Sequence, residues 1–147
     1  MKHWRGQPTD AFRIVAVAAL IAATGPTATA QRIRDLPPSA RGVRMPALSQ
    51  QAAAGQAVFD AQCASCHGRY GLGTDKGPPF LDPVYNPGHH SDDSFRAAVK
   101  QGVRQHHWRF GDMPPQPQVS DEQLAQIVRY VRELQQANGI RFVPHRM

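Results

Sequence analysis

Cys63-Ala64-Ser65-Cys66-His67 is the stretch on which the rest of the chain turns. Two thiols separated by two residues can both reach one flat macrocycle and form thioether bonds to its two vinyl groups. The histidine that follows then offers a ring nitrogen to the central iron. C-x-x-C-H is the sequence signature of this covalent haem attachment. The chain has 2 cysteines in all, and that count weighs against the alternatives. A thioredoxin-type redox pair needs a βαβ frame, which the surrounding sequence does not offer. A structural zinc site wants four ligands, and there is no second cysteine pair. A disulfide across so short a span is a strained staple. The pentapeptide therefore predicts one haem c, held through Cys63 and Cys66, with His67 as an iron ligand.

Working outward, Ser49 is a good N-cap, and a helix is predicted from there to about Gln62. Ala52, Gly55, Val58 and Phe59 share its inner face by helical spacing. Gly55 costs that helix about 1 kcal/mol relative to alanine, which makes sense if another backbone crosses closely there. From Gly68 to Pro87 the chain reads as loop, punctuated by glycine and proline. Loops of that length in compact domains are usually functional, and a bound group inside it explains the length. A second helix, capped by Ser91 or Asp92, runs to about Lys100. Asp92 and Asp93 suit the positive end of its dipole, Phe95, Ala98 and Val99 form its apolar stripe, and Gly102 ends it. Another loop, Val103 to Gln118, precedes the clearest helix. There Ser120 with Gln123 makes a capping box, and Val119 with Leu124 a hydrophobic staple. Leu124, Ile127, Val128, Val131 and Leu134 lie on one face, and Gly139 closes the helix. The expected class is all-α, with three main helices, long loops and no convincing strand. Three such helices cannot enclose a large core alone, and an apolar cofactor supplies the missing interior.

Six-coordinate iron needs a ligand opposite His67. Met113 is the best candidate, in Gly111-Asp112-Met113-Pro114-Pro115, where two prolines stiffen the backbone after it. A thioether sulfur favours ferrous iron and raises the potential relative to two histidines. His106 and His107 are rivals for the position, while Met45 and Met147 lie outside the predicted domain. His89-His90 could form a loop metal site, but two imidazoles alone are a weak signal, and all four histidines read first as surface or hydrogen-bonding residues. The haem propionates need donors, and Trp108, Arg104 and Arg109 stand just before the methionine loop. The second ring nitrogen of His67 needs an orienting partner, for which Gly77-Pro78 offers the Pro78 carbonyl.

Residues 1–30 read as an export signal. Lys2, Arg5 and Arg13 make a basic start that Asp10 dilutes, and Ile14–Ala23 is apolar. That run of about ten residues is half of what a spanning helix needs. Ala28-Thr29-Ala30 suits cleavage before Gln31, with an uncleaved anchor as the alternative. Residues 31–48 are expected to be an extended Pro/Arg-rich leader, 49–140 the haem domain and 141–147 a basic tail. The product is expected to be periplasmic or otherwise exported, without stable membrane insertion. Loss of residues 1–30 takes the formal charge from +6 to +4. This modest surplus suits docking to a redox protein with an acidic patch. No Lys/Arg run interleaved with aromatics marks a nucleic-acid binder.

Through Cys63-Ala64-Ser65-Cys66-His67-Gly68, Gly77-Pro78, Met113-Pro114-Pro115 and Ile127–Leu134, residues 50–139 resemble the class I c-type cytochromes, especially single-haem bacterial domains like those associated with respiratory oxidases. The resemblance implies a small cytochrome c fold wrapped around one covalent haem, with axial His67 and Met113 and a Pro78 carbonyl that accepts from the His67 ring. It implies that the first and last helices cross, with Gly55 and Phe59 near Tyr130. It implies outer-sphere electron transfer, with no catalytic residue, because two strong axial ligands leave no open position for substrate. The histidine-rich stretch before Met113 departs from the barest family pattern. A haem subunit of a larger respiratory oxidase or dehydrogenase, and a haem-based gas sensor with a labile sixth ligand, are the alternatives.

Overall fold

The computed structural model describes residues 42–144. The expected export signal, most of the expected leader and the end of the expected basic tail lie outside the described residues. Within them the chain forms α1 (Gln50–Gln62), a single turn α2 (Ala64–His67), α3 (Asp92–Gln101) and α4 (Asp121–Ala137). Tight 3-10 turns occupy Arg69–Gly71 and Pro83–Tyr85. Among the described residues there is no strand, only one isolated antiparallel bridge between Val103 and Met113.

The helix ends follow from local chemistry. The Ser49 hydroxyl accepts from the Ala52 amide at 3.2 Å, and the Ser91 hydroxyl accepts from the Ser94 amide at 3.2 Å. At α4 both halves of the capping box form: Gln123 N donates to Ser120 Oγ (3.2 Å) and Ser120 N to Gln123 Oε1 (3.0 Å). Asn138 is the C-cap of α4, and Gly139 follows it at φ +82°. Ile140 N then donates to Gln135 O (2.9 Å) and Gly139 N to Gln136 O (3.2 Å). Those two bonds satisfy carbonyls that a helix end otherwise leaves bare.

The core lies between α1 and α4. Ala52, Gly55 and Phe59 are the buried residues of α1. They meet Leu124, Ile127, Val128, Tyr130, Val131 and Leu134. Phe59 and Tyr130 are both fully buried, with ring centroids 5.4 Å apart. Burial of one such ring stabilises by about 2–3 kcal/mol. Gly55 sits at the crossing: a Cβ there would fall 1.9 Å from the Gln126 carbonyl oxygen. The α4 backbone fills the space that any side chain would need. Residues 43–49 have no regular structure, yet Val43, Met45 and Leu48 rest against the core. Arg44 and Asn138 exchange two hydrogen bonds, of 2.8 and 2.9 Å, that clasp this segment to the end of α4.

Glu133 ties the start of α1 to α4. Its carboxylate accepts from Ser49 N (2.9 Å) and Ser49 Oγ (2.7 Å), and it pairs with Arg129 Nε at 2.6 Å. Burial pushes this carboxyl up, but the hydrogen bonds from Ser49 and the Arg129 guanidinium outweigh it and hold the group below its usual value. The unfolded chain therefore takes up the proton first. The stabilisation is present above the ordinary glutamate pKa and is lost as pH falls through the lower folded value. Glu133→Gln should destabilise by about 1–2 kcal/mol at neutral pH, and the difference from the parent should shrink in strong acid. Denaturant melts at the two pH values check this.

Candidate haem site

Cys63 is both the C-cap of α1 and the N-cap of α2. Its carbonyl accepts from the amides of Cys66 (3.1 Å) and His67 (2.9 Å). The pentapeptide is thus wound into one turn, which places Cys63 and Cys66 on one face at i, i+3 spacing. Both thiols are free, with Cys63 half-buried and Cys66 exposed. Burial, with the neighbouring Cys66 thiol, pushes the Cys63 thiol up to about 11, so it stays protonated at neutral pH.

His67 is buried. Its Nδ1 lies 3.1 Å from the Pro78 carbonyl oxygen, which can only accept. That fixes the proton on Nδ1 and leaves Nε2 with its lone pair, the tautomer a metal ligand needs. Burial lowers the imidazole pKa, and the Pro78 bond works against the shift. The loop is closed onto the turn by Gly73 N, which donates to His67 O at 2.7 Å. It is closed again at Gly77, where a Cβ would stand 2.8 Å from Cys66 O. That close approach brings Pro78 under the imidazole.

His67 faces a cavity of about 570 Å³, whose wall also includes Pro78, Phe80, Val99, Trp108 and Met113. This is the size of a cofactor pocket, roughly 300–1,000 Å³. Met113 is held by more than the prolines after it. Val103 and Met113 exchange two backbone hydrogen bonds of 2.9 Å. Gly102, at φ +78°, is close enough that a Cβ would meet Met113 O at 2.6 Å. Gln116 N donates to Val99 O at 2.7 Å, which fastens the far side of the loop to α3.

Of the three expected propionate donors, Trp108 alone lines the cavity; Arg104 and Arg109 are exposed and stand outside its wall. The Trp108 indole nitrogen is buried without a hydrogen-bond partner. Burial raises the pKa of the nearby Tyr85 phenol and the indole opposes that rise, but the two groups do not meet hydrogen-bond geometry. An orphaned donor in the wall of an apolar cavity fits an anionic group of a bound molecule.

Several wall and support residues carry no motif. Phe80 stacks on His67, with centroids 4.4 Å apart and planes at 21°, and it meets Phe59 at 6.1 Å and Tyr85 at 5.3 Å. An aromatic chain thus joins the core to the cavity. Gln135 is buried in the apolar face of α4. Its amide donates to Phe80 O (2.8 Å) and Tyr85 O (3.0 Å), and its oxygen accepts from Arg132 Nη1 (2.7 Å). A glutamine one residue after Leu134 on an otherwise apolar helix face is the sequence signal that marks it. Gln135→Leu strands the Phe80 carbonyl, leaves Tyr85 O to Arg132 alone and takes away an acceptor of the Arg132 guanidinium. It should cost about 2–3 kcal/mol and loosen the loop beneath His67. Chemical denaturation and amide exchange at Phe80–Tyr85 read the two effects.

A cysteine pair on one helical turn, a carbonyl-oriented imidazole, a thioether and an unpaired indole donor around one apolar cavity define a helical protein built to hold a covalently attached iron porphyrin. The family model described as Cytochrome c matches residues 52–135, and the chain belongs to the cytochrome c family. The group of that family is covalently bound haem c, and Cys63 and Cys66 have the required C-x-x-C-H spacing. The family's function is haem-based electron transfer. No curated protein matches the chain. Among the described residues, no helix is long and apolar enough to cross a membrane.

Proposed function

We propose that the chain is an exported single-haem electron carrier whose iron is ligated by His67 and Met113. The observation that carries this reading is that both side chains line one cavity while the Pro78 carbonyl commits His67 Nδ1, so Nε2 is the nitrogen left to ligate. The haem supplies reversible one-electron chemistry at iron. The chain's own residues do the rest. Cys63 and Cys66 tether the group, so an exported protein cannot lose it. The bridge between Val103 and Met113 fixes the position of the thioether. Phe80 and Val99 give the wall its apolar lining, and the Trp108 N–H is the donor that would serve a propionate. Cys66 is exposed, which supports an electron port at the haem edge beside the pentapeptide.

Two axial ligands leave no position for substrate, and this favours a carrier over an enzyme or a gas sensor. The charge of +4 that follows removal of residues 1–30 supports transient docking on an acidic patch of a redox partner. The basic and apolar pattern of residues 1–30 supports export to the periplasm or beyond.

The test uses protein matured with its export and haem-ligation machinery. A pyridine haemochrome assay should give one haem c per chain, and the reduced protein should not bind carbon monoxide rapidly at neutral pH. Colourless protein with both sulfurs free overturns the reading. Rapid carbon monoxide binding assigns the chain to the sensors instead, and tight co-purification with a membrane complex makes it a subunit.

A further inference from the structure

Electron transfer leaves a group of histidines without a role. His89 and His90 lie between the 3-10 turn Pro83–Tyr85 and α3, and His107 lies in the loop before Met113. The structure brings them to one rim of the haem cavity, where all three line its wall. One ring nitrogen from each lies within 4.8 Å of the other two. The tightest pair is His89 Nε2 and His107 Nε2, at 3.2 Å. Ligand nitrogens about 2.0–2.1 Å from a tetrahedral zinc ion stand ~3.3 Å apart, so this pair already has the spacing of two ligands on one ion.

His90 is prepared in the same way as His67. Its Nδ1 lies 2.8 Å from the Val84 carbonyl oxygen. The carbonyl fixes the proton on Nδ1 and leaves Nε2 as a lone-pair donor, the arrangement that commonly orients metal-bound histidines. The backbone beneath is held as well. The amides of His89 and His90 both donate to Asn86 O, at 3.1 and 2.9 Å. The Arg132 guanidinium donates to the His90 carbonyl and to Tyr85 O at 3.0 Å. Arg132 is itself anchored by Asp92 at 2.8 Å.

We infer that His89, His90 and His107 form a second metal site, separate from the haem iron, that binds one late first-row divalent ion of the zinc or copper kind and leaves a position for water. Three imidazoles with no hard oxygen donor favour Zn²⁺ and Cu²⁺ over Mg²⁺ and Ca²⁺. The site requires His107 to lie off the haem iron and so rests on Met113 as that iron's second ligand; a haem spectrum altered by His107→Gln alone overturns that reading of Met113.

The experiment uses the haem-loaded protein. Calorimetric titration with Zn²⁺ should show one saturable equivalent. His89→Gln, His90→Gln and His107→Gln should each weaken binding by about tenfold or more. An unchanged haem absorption spectrum in each variant shows that the fold and the haem ligands are intact. Cu²⁺ bound to the parent should give an electron paramagnetic resonance signal split by nitrogen nuclei, and each single variant should show coupling to fewer nitrogens. No saturable Zn²⁺ binding, or binding equal in the parent and all three variants, overturns the site and returns these imidazoles to the cavity wall.

Discussion

Histidine in place of Met113 should leave a red, haem-loaded protein whose midpoint potential is lower by on the order of 0.1 V or more. The haem stays because its tether is Cys63 and Cys66, on the other side of the chain's loop system. The backbone at position 113 stays because its anchors are main-chain bonds: the pair of 2.9 Å bonds with Val103 and the close approach of Gly102 to the residue 113 carbonyl. What changes is the donor. Imidazole is a harder and stronger donor than a thioether, so it stabilises ferric iron and makes reduction less favourable. A spectroelectrochemical titration of parent and variant measures the difference. An unchanged potential would remove Met113 from the iron and reopen the place to His106 or His107.

Alanine at Gly55 is the second large effect. The added Cβ would lie 1.9 Å from Gln126 O, 2.3 Å from Gln126 C and 2.9 Å from Ile127 N. All three atoms belong to the middle of the α4 backbone, so no side chain can swing away to make room. The two helices must separate, and the contact between Phe59 and Tyr130 opens with them. Overpacking of this kind costs about 1–3 kcal/mol, occasionally more, and this site lies at the upper end because the obstruction is main chain. Alanine's better helix propensity returns about 1 kcal/mol. A net loss of about 2 kcal/mol corresponds to a melting temperature lower by roughly 8–16 °C for a domain of this size. Thermal melts of the haem-loaded protein read it, with Gln51→Ala on the exposed face of α1 as the control that should move little. A Gly55→Ala variant as stable as its parent would mean that the helices do not cross there.

The helix ends were readable because capping is local. Ser49, Ser91 and Ser120 each bond to an amide within three residues of themselves, so the sequence holds the whole interaction. The apolar face of α4 was readable for the same reason, since its spacing reports directly which side is buried. The pentapeptide was readable because its chemistry needs a fixed short spacing. Less was legible where a side chain serves a distant main-chain group. Gln135 reaches Phe80 across 55 positions, and Arg132 reaches the His90 carbonyl across 42. Nothing local to those residues states what they hold. Arg104 and Arg109 show a further limit: sequence proximity to Trp108 made them candidates beside it, and the structure leaves both exposed and outside the cavity wall.

By itself the order of residues determined that this chain attaches haem, that it is helical, and where each main helix starts and stops, because each of those properties is carried by neighbours along the chain. The folded arrangement alone decided what lines the cavity: that Met113 is clamped by Val103, that Trp108 enters the wall with its N–H unsatisfied, and that His107 joins His89 and His90. Such groupings depend on loop closure over many residues, and their geometry exists only after α1 has crossed α4 and the loops have been drawn onto that frame.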